Sequence, residues 1–157
     1  MGVGIQGWGV MGGGVHIAMM TEDLRVFVYG TLKPGAANFD RYCGKQVLTS
    51  HRAYIYGDLY DLPSCGYPAA IHGSHKVHGF VLAFRDDRIL QALDELEDYD
   101  PQRQPVENDY NRELVTTYTL NGNSGCCAWV YFMSAERIHR CGGILLPDGW
   151  WMVDGGW

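Results

Sequence analysis

Arg25-Val26-Phe27-Val28-Tyr29-Gly30-Thr31-Leu32-Lys33-Pro34-Gly35 ends a run of β-formers in a turn. Val, Phe and Tyr in succession suit a pleated, partly buried surface, and Gly30 followed by Pro34-Gly35 supplies the chemistry that stops a strand. Gly30 permits close backbone approach, so the amides of Gly30, Thr31 and Leu32 can converge on a carboxylate or phosphate, with Lys33 adding a positive field. Taken alone, the stretch is equally an ordinary strand-end turn carrying an exposed lysine. The rest of the chain has to decide between the two.

At 157 residues the chain is one domain's worth, long enough to bury a single core. A hydrophobic fraction of 46%, with ten Tyr, five Trp and five Phe, describes a soluble globular protein, and no run approaches a membrane span. The net charge of −6, from 12 basic and 18 acidic residues, argues against nucleic acid, whose phosphates call for clustered Lys and Arg. A small molecule or a protein is the expected partner. Five cysteines, Cys43, Cys65, Cys126, Cys127 and Cys141, are odd in number and lack a C-x-x-C spacing, which fits a reduced, cytoplasmic compartment.

Upstream of the turn, residues 1–20 are glycine-rich and contain no Lys or Arg, so the basic region of a signal peptide is missing. Gly2-Val3-Gly4-Ile5-Gln6-Gly7 spells G-x-G-x-x-G, but no strand can precede residue 2, and a dinucleotide fingerprint needs one. The segment is read as a flexible leader before a single domain over 21–157, with Met19 or Met20 as alternative starts.

Downstream, residues 36–43 read as a short helix, and 51–61, HRAYIYGDLYD, as the clearest strand. Turn residues over 62–68 end it, and 69–71 and 77–84 read as further strands. His72, His75 and His78 lie between the last two. No Cys, Asp or Glu sits close by in sequence, so the stretch is read as a hairpin turn and no metal site is assigned. Residues 101–109 form a polar surface loop. The spans 110–120 and 126–132 make a hairpin about Asn121-Gly122-Asn123-Ser124-Gly125, and 134–157, with Trp150-Trp151, fold back as a cover.

Residues 86–98 carry the one strong helical pattern, with Asp86-Asp87 as caps and Ile89, Leu90, Leu93 and Leu96 at helical spacing. Glu97 follows Leu93 by four and Leu90 by seven, which places a carboxylate on the apolar face, while Asp94, Glu95 and Asp98 fall on the wetter side. Desolvation and the helix C-terminus both push such a carboxylate's pKa upward, toward acid–base work near neutral pH. The pattern also fits a partly exposed glutamate at a fraying helix end, or one paired with Arg112.

Together, Tyr29-Gly30-Thr31-Leu32-x-Pro34-Gly35, Gly57-x-Leu59-Tyr60-Asp61, Gly66-Tyr67-Pro68-Ala69, Val77-x-Gly79, Leu93-Asp94-x-x-Glu97 and Tyr110-x-Arg112 resemble the γ-glutamylcyclotransferase-like family over roughly residues 25–133. The resemblance implies an α+β fold: a compact mixed β-barrel, largely antiparallel, with flanking helices and a pocket beside the Y-G-T-L loop. It implies a cofactor-free, metal-free enzyme that cyclises a γ-glutamyl amine or γ-glutamyl amino acid to 5-oxoproline and frees the amine. Glu97 is the implied general base and then acid; Tyr29, Gly30, Thr31 and Leu32 are the implied substrate-binding positions, and Arg112 is left structural. Two further readings stay open, a non-catalytic binding or interaction domain and an enzyme acting on a different acyl donor. The leader and the tail depart from the family pattern and are candidates for gating the pocket or for a homodimer contact.

Overall fold

The structure, a computed structural model, describes residues 23–152. The glycine-rich segment 1–20, with its G-x-G-x-x-G spelling and the alternative starts, lies outside the described residues. Among those described are six strands and two α-helices: β1 (Leu24–Val28), β2 (Val47–Leu62), β3 (Tyr67–Phe84), α1 (Ile89–Leu96), β4 (Asn111–Tyr118), β5 (Ser124–Phe132), α2 (Ala135–Arg140) and β6 (Ile144–Leu145).

The strands form one sheet in the order β3-β1-β5-β4-β2-β6, with a further β2–β3 ladder. All pairings are antiparallel except β1 with β5, which run parallel through Val26 and Trp129. The class is therefore α+β, strand-rich with few helices, and the expected barrel is narrowed to this sheet. No helix among the described residues is long and apolar enough to cross a membrane.

β1 lies between β3 and β5, and its successive residues Val26, Phe27 and Val28 are all buried. Alternate side chains of a strand point to opposite faces, so Val26 and Val28 join one core with Leu82, Phe84 and the α1 residues Ile89, Leu90 and Leu93. Phe27 and Tyr29 join another with Ile55, Val77, Val81, Val130 and Trp151. This central position explains why an unbroken apolar run, and not an alternating one, marks the strand.

Three local expectations need correction. First, 69–71 and 77–84 are not separate strands joined by a hairpin turn; β3 runs through both. Its register against β2 passes from Asp58↔Ile71 to Tyr56↔Lys76, so residues 72–75 bulge out opposite Gly57. The Gly-Ser turn chemistry is absorbed by the bulge, and the reversal occurs at Pro63-Ser64-Cys65-Gly66, with Gly66 at φ +79°. Second, α1 starts only at Ile89, with no side-chain cap at Arg88, and Asp86 accepts from the backbone and guanidinium of Arg88 just before it. Third, the short helix expected over 36–43 is a π-helical turn, Asp40–Gly44, that buries Cys43.

The tail is described as far as Met152. Ser134 caps α2 by accepting from the Arg137 amide. β6 then pairs with Tyr60 and Asp61 of β2, and Trp151 is buried against the body.

Gly79 is a point of closest approach: a Cβ there would lie 2.1 Å from the Val28 carbonyl oxygen and 2.9 Å from Phe27 Cζ. Gly79→Ala must push β1 off β3, and we expect a loss of about 3 kcal/mol or more, read as a lower urea midpoint at unchanged slope.

Candidate active site

A cavity of about 140 Å³ opens where the end of β1, the β2–β3 hairpin and the C-terminus of α1 meet. Tyr29, Gly30, Thr31, Leu32 and Glu97 all line it.

The loop after β1 is closed by its own backbone. The Lys33 amide donates to Gly30 C=O (3.0 Å), and Ala36 N–H donates to Lys33 C=O (2.8 Å). Asn38 donates from its amide to Thr31 C=O (2.8 Å) and from Nδ2 to Thr31 Oγ1 (3.0 Å). None of the hydrogen bonds among the described residues uses the N–H of Gly30, Thr31 or Leu32. Buried donors are normally satisfied, so three adjacent amides at a cavity wall with no acceptor among the described residues are the kind of donors that an anion can bind. Gly30 is needed here for space, since a Cβ would come within 2.8 Å of the Pro68 ring.

Glu97 is placed by the way α1 ends. Asp98 adopts φ +53°, the Tyr99 amide donates to Asp94 C=O (2.9 Å) and the Asp98 amide to Glu95 C=O (3.3 Å). These are the two bonds of a Schellman termination, and Glu97 is the last residue before the reversal. Its carboxyl pKa is pushed up to about 7, first by burial and then by the charge of Asp109. Asp109 lines the same cavity and is itself paired with Arg137 Nη1 at 2.9 Å.

Arg112 does not meet Glu97. Its guanidinium grips Asp94 with two bonds, Nε to Oδ1 at 2.8 Å and Nη2 to Oδ2 at 3.2 Å, and lies 4.5 Å from the Trp129 ring centroid. Asp94, expected on the wetter face, is thus part-buried and also accepts from Tyr131 OH at 2.6 Å. With its cation engaged there, no salt bridge draws the Glu97 pKa down.

Three of the tyrosines that line the cavity, Tyr29, Tyr110 and Tyr131, have their hydroxyl protons committed. Tyr29 donates to Tyr131 C=O (2.6 Å) and accepts from the Ala70 amide (3.2 Å), and Tyr110 donates to Pro68 C=O (2.7 Å). Burial raises the pKa of Tyr29, Tyr110 and Tyr131, so all three stay neutral. Glu97 is left as the one lining group, among the described residues, that both titrates near neutrality and lacks an ion-pair partner.

Residues 26–153 match the family described as "Gamma-glutamyl cyclotransferase, AIG2-like". The chain belongs to this family. It is 34% identical over 127 residues to a Vibrio cholerae protein named "Putative gamma-glutamylcyclotransferase", covering 80% of this chain and 93% of that one. A Halalkalibacterium halodurans protein of similar name is 35% identical over 105 residues, 66% of this chain and 85% of its own. Among solved structures, an AIG2-like protein from Mus musculus shares the fold at TM-score 0.62 and 21% identity, covering 86% of this chain and 92% of that one. YtfP from Escherichia coli superposes at TM-score 0.54 and 28% identity, with 82% and 96% covered.

In this γ-glutamyl cyclotransferase family member, sequence reasoning missed several cavity residues. Tyr67, Pro68 and Tyr110 stood in the recognised motifs without an assigned role, while Asp109 was left in a surface loop. Asp109 is brought in by the fold alone. The histidines do not form a cluster: His72 Nε2 contacts Glu113 (2.9 Å), His75 Nδ1 contacts Asp58 (2.7 Å), and His78 packs near Trp150. Lys33, read as an exposed field-tuning residue, is fully buried behind the loop and does not line the cavity.

The raised Glu97 pKa has a signature in stability. The folded state holds the proton up to about pH 7, whereas an ordinary carboxyl releases it near 4.5, so stability falls as pH rises through that window. Glu97→Gln removes this penalty. The variant is expected to outlast the parent in urea at pH 8 by up to about 3 kcal/mol, with a smaller gain at pH 5; a carboxylate held by a salt bridge would give the opposite sign.

Proposed function

We propose that the protein cyclises a γ-glutamyl amine or γ-glutamyl amino acid to 5-oxoproline, releasing the free amine. The observation that carries this reading is the sharing of one cavity by the Gly30-Thr31-Leu32 amides and by Glu97, an uncompensated carboxyl with a pKa near 7.

The chemistry needs an anchor, a proton acceptor and a ring-closing conformation. The three amides donate to the substrate's α-carboxylate. That anchor brings the neighbouring α-ammonium to Glu97, which takes one proton. The freed amine attacks the γ-carbonyl carbon, a C–N bond forms, and the five-membered lactam closes. The bond from that carbon to the departing amine then breaks as Glu97 returns the proton to the departing nitrogen. The ring nitrogen sheds its second proton to solvent, and the released amine takes one up as an ammonium. No water is consumed and Glu97 ends as it began. The nucleophile belongs to the substrate, so the protein's part is to hold the bent conformer and to move one proton. A pKa near 7 suits a group that must first accept and then donate.

The test is 5-oxoproline release from a panel of γ-glutamyl amino acids, γ-glutamyl amines and glutathione. Glu97→Gln is expected to lower turnover by about a thousandfold with the fold intact. No release from any of these by folded wild-type protein would sink the proposal. In the active enzyme, kcat/KM should rise with pH as Glu97 loses its proton near 7. Asp109→Asn, by removing a neighbouring negative charge, should move that limb to lower pH; a limb that stays in place would remove Asp109 from the tuning of the base.

A further inference from the structure

The anchor loop is held from behind by the far end of the chain. Lys33 is 0% exposed, and its Nζ donates to the main-chain carbonyl of Trp151, 118 residues away. The same ammonium lies 4.2 Å from the Trp150 ring centroid and 5.8 Å from that of Trp151. The segment that presents these groups is itself fastened at each step. Leu146 N–H donates to Leu59 C=O (2.8 Å), the His78 amide donates to Gly149 C=O (2.8 Å), and Trp151 Nε1 donates to Asp61 Oδ1 (3.1 Å). The Arg52 guanidinium lies 5.2 Å from the Trp150 ring centroid. Gly149 fits only as glycine, with φ +69° and a Cβ position 1.8 Å from Lys76 C=O.

At its other end, Lys33 belongs to the loop that forms the cavity wall, where its amide bonds Gly30 C=O and its carbonyl accepts from Ala36. A fully buried ammonium is expensive unless its donors are satisfied. One that does not line the cavity is not there to touch substrate. Its contacts instead join two segments distant in sequence.

Building on the proposed cyclotransferase reading, we propose that Lys33 is a positioning residue through which residues 146–151 hold the Gly30-Thr31-Leu32 amides in place, so that the C-terminal segment sets the affinity for the substrate's α-carboxylate. The segment acts on binding and leaves the proton transfer at Glu97 alone.

The test uses the full chain with Lys33→Met, which keeps the length of the side chain, and Trp150→Leu, which weakens the same contact from the other side and carries the test if the first variant fails to fold. Each is expected to raise KM about tenfold while kcat and the pH midpoint of the Glu97 limb stay put. Loss of folded protein would instead lower apparent kcat at constant KM, so an unchanged KM in the folded variants overturns the proposal. Hydrogen exchange at the Lys33, Ala36 and Asn38 amides, which close the loop, gives a readout without turnover; faster exchange there, with α1 unaffected, is expected. Should wild-type protein release no 5-oxoproline, the proposed function falls and the exchange rates decide the positioning role, which unchanged protection would overturn.

Discussion

The two-pronged grip of Arg112 on Asp94, joined by Tyr131 OH, ties α1 to the hairpin of β4 and β5. Three residues further along the same helix stands Glu97. A part-buried, bidentate pair has a definite geometry that an exposed ion pair lacks, so the helix cannot slide or rotate without breaking two charged hydrogen bonds. Trp129 and Tyr99 flank the guanidinium and exclude water from it. The catalytic candidate is thus located by neighbours that it does not touch.

The site divides its charges so that two of its carboxylates have an arginine partner and one has none. Asp94 has Arg112, and Asp109 has Arg137. Glu97 has neither, and is left with the desolvation and with the field of Asp109. The contrast between paired and unpaired acids is how one small volume can hold two carboxylates in ion pairs and leave the third, Glu97, with its pKa raised to about 7. Tyr29, Tyr110 and Tyr131 complete the arrangement by directing their hydroxyl protons to main-chain carbonyls and to Asp94, so none of the three competes for the proton that Glu97 would carry.

Much of this was legible in the sequence where the signal is local. A strand followed by Gly30 and Pro34-Gly35 specifies the turn and its exposed amides, and the spacing Leu90-Leu93-Glu97 specifies which face of a helix the carboxylate takes. The misreadings share a cause: each depends on a partner far along the chain. The bulge at 72–75 looks like a turn until β2 is seen to pair on both sides of it. Asp86 looks like a cap until Arg88 takes it. Lys33 looks solvent-facing because lysine usually is, and its contacts with Trp150 and Trp151 help to make its burial tolerable. Asp109 carries no periodic pattern at all, and the course of its loop alone brings it beside Glu97.

The wiring of the sheet also bears on the order in which the protein can acquire a site. β2 and β3 are consecutive and joined by four residues, so their long ladder closes a short loop. β1, in contrast, needs β5, and Lys33 needs a carbonyl 118 residues downstream. Entropy makes such distant closures late events in folding. A chain still emerging from the ribosome can therefore hold most of its sheet and the helix that leads to Glu97 while the turn after β1 lacks its contact with Trp151. The turn gains its backing from the C-terminal segment only once synthesis has passed Trp151.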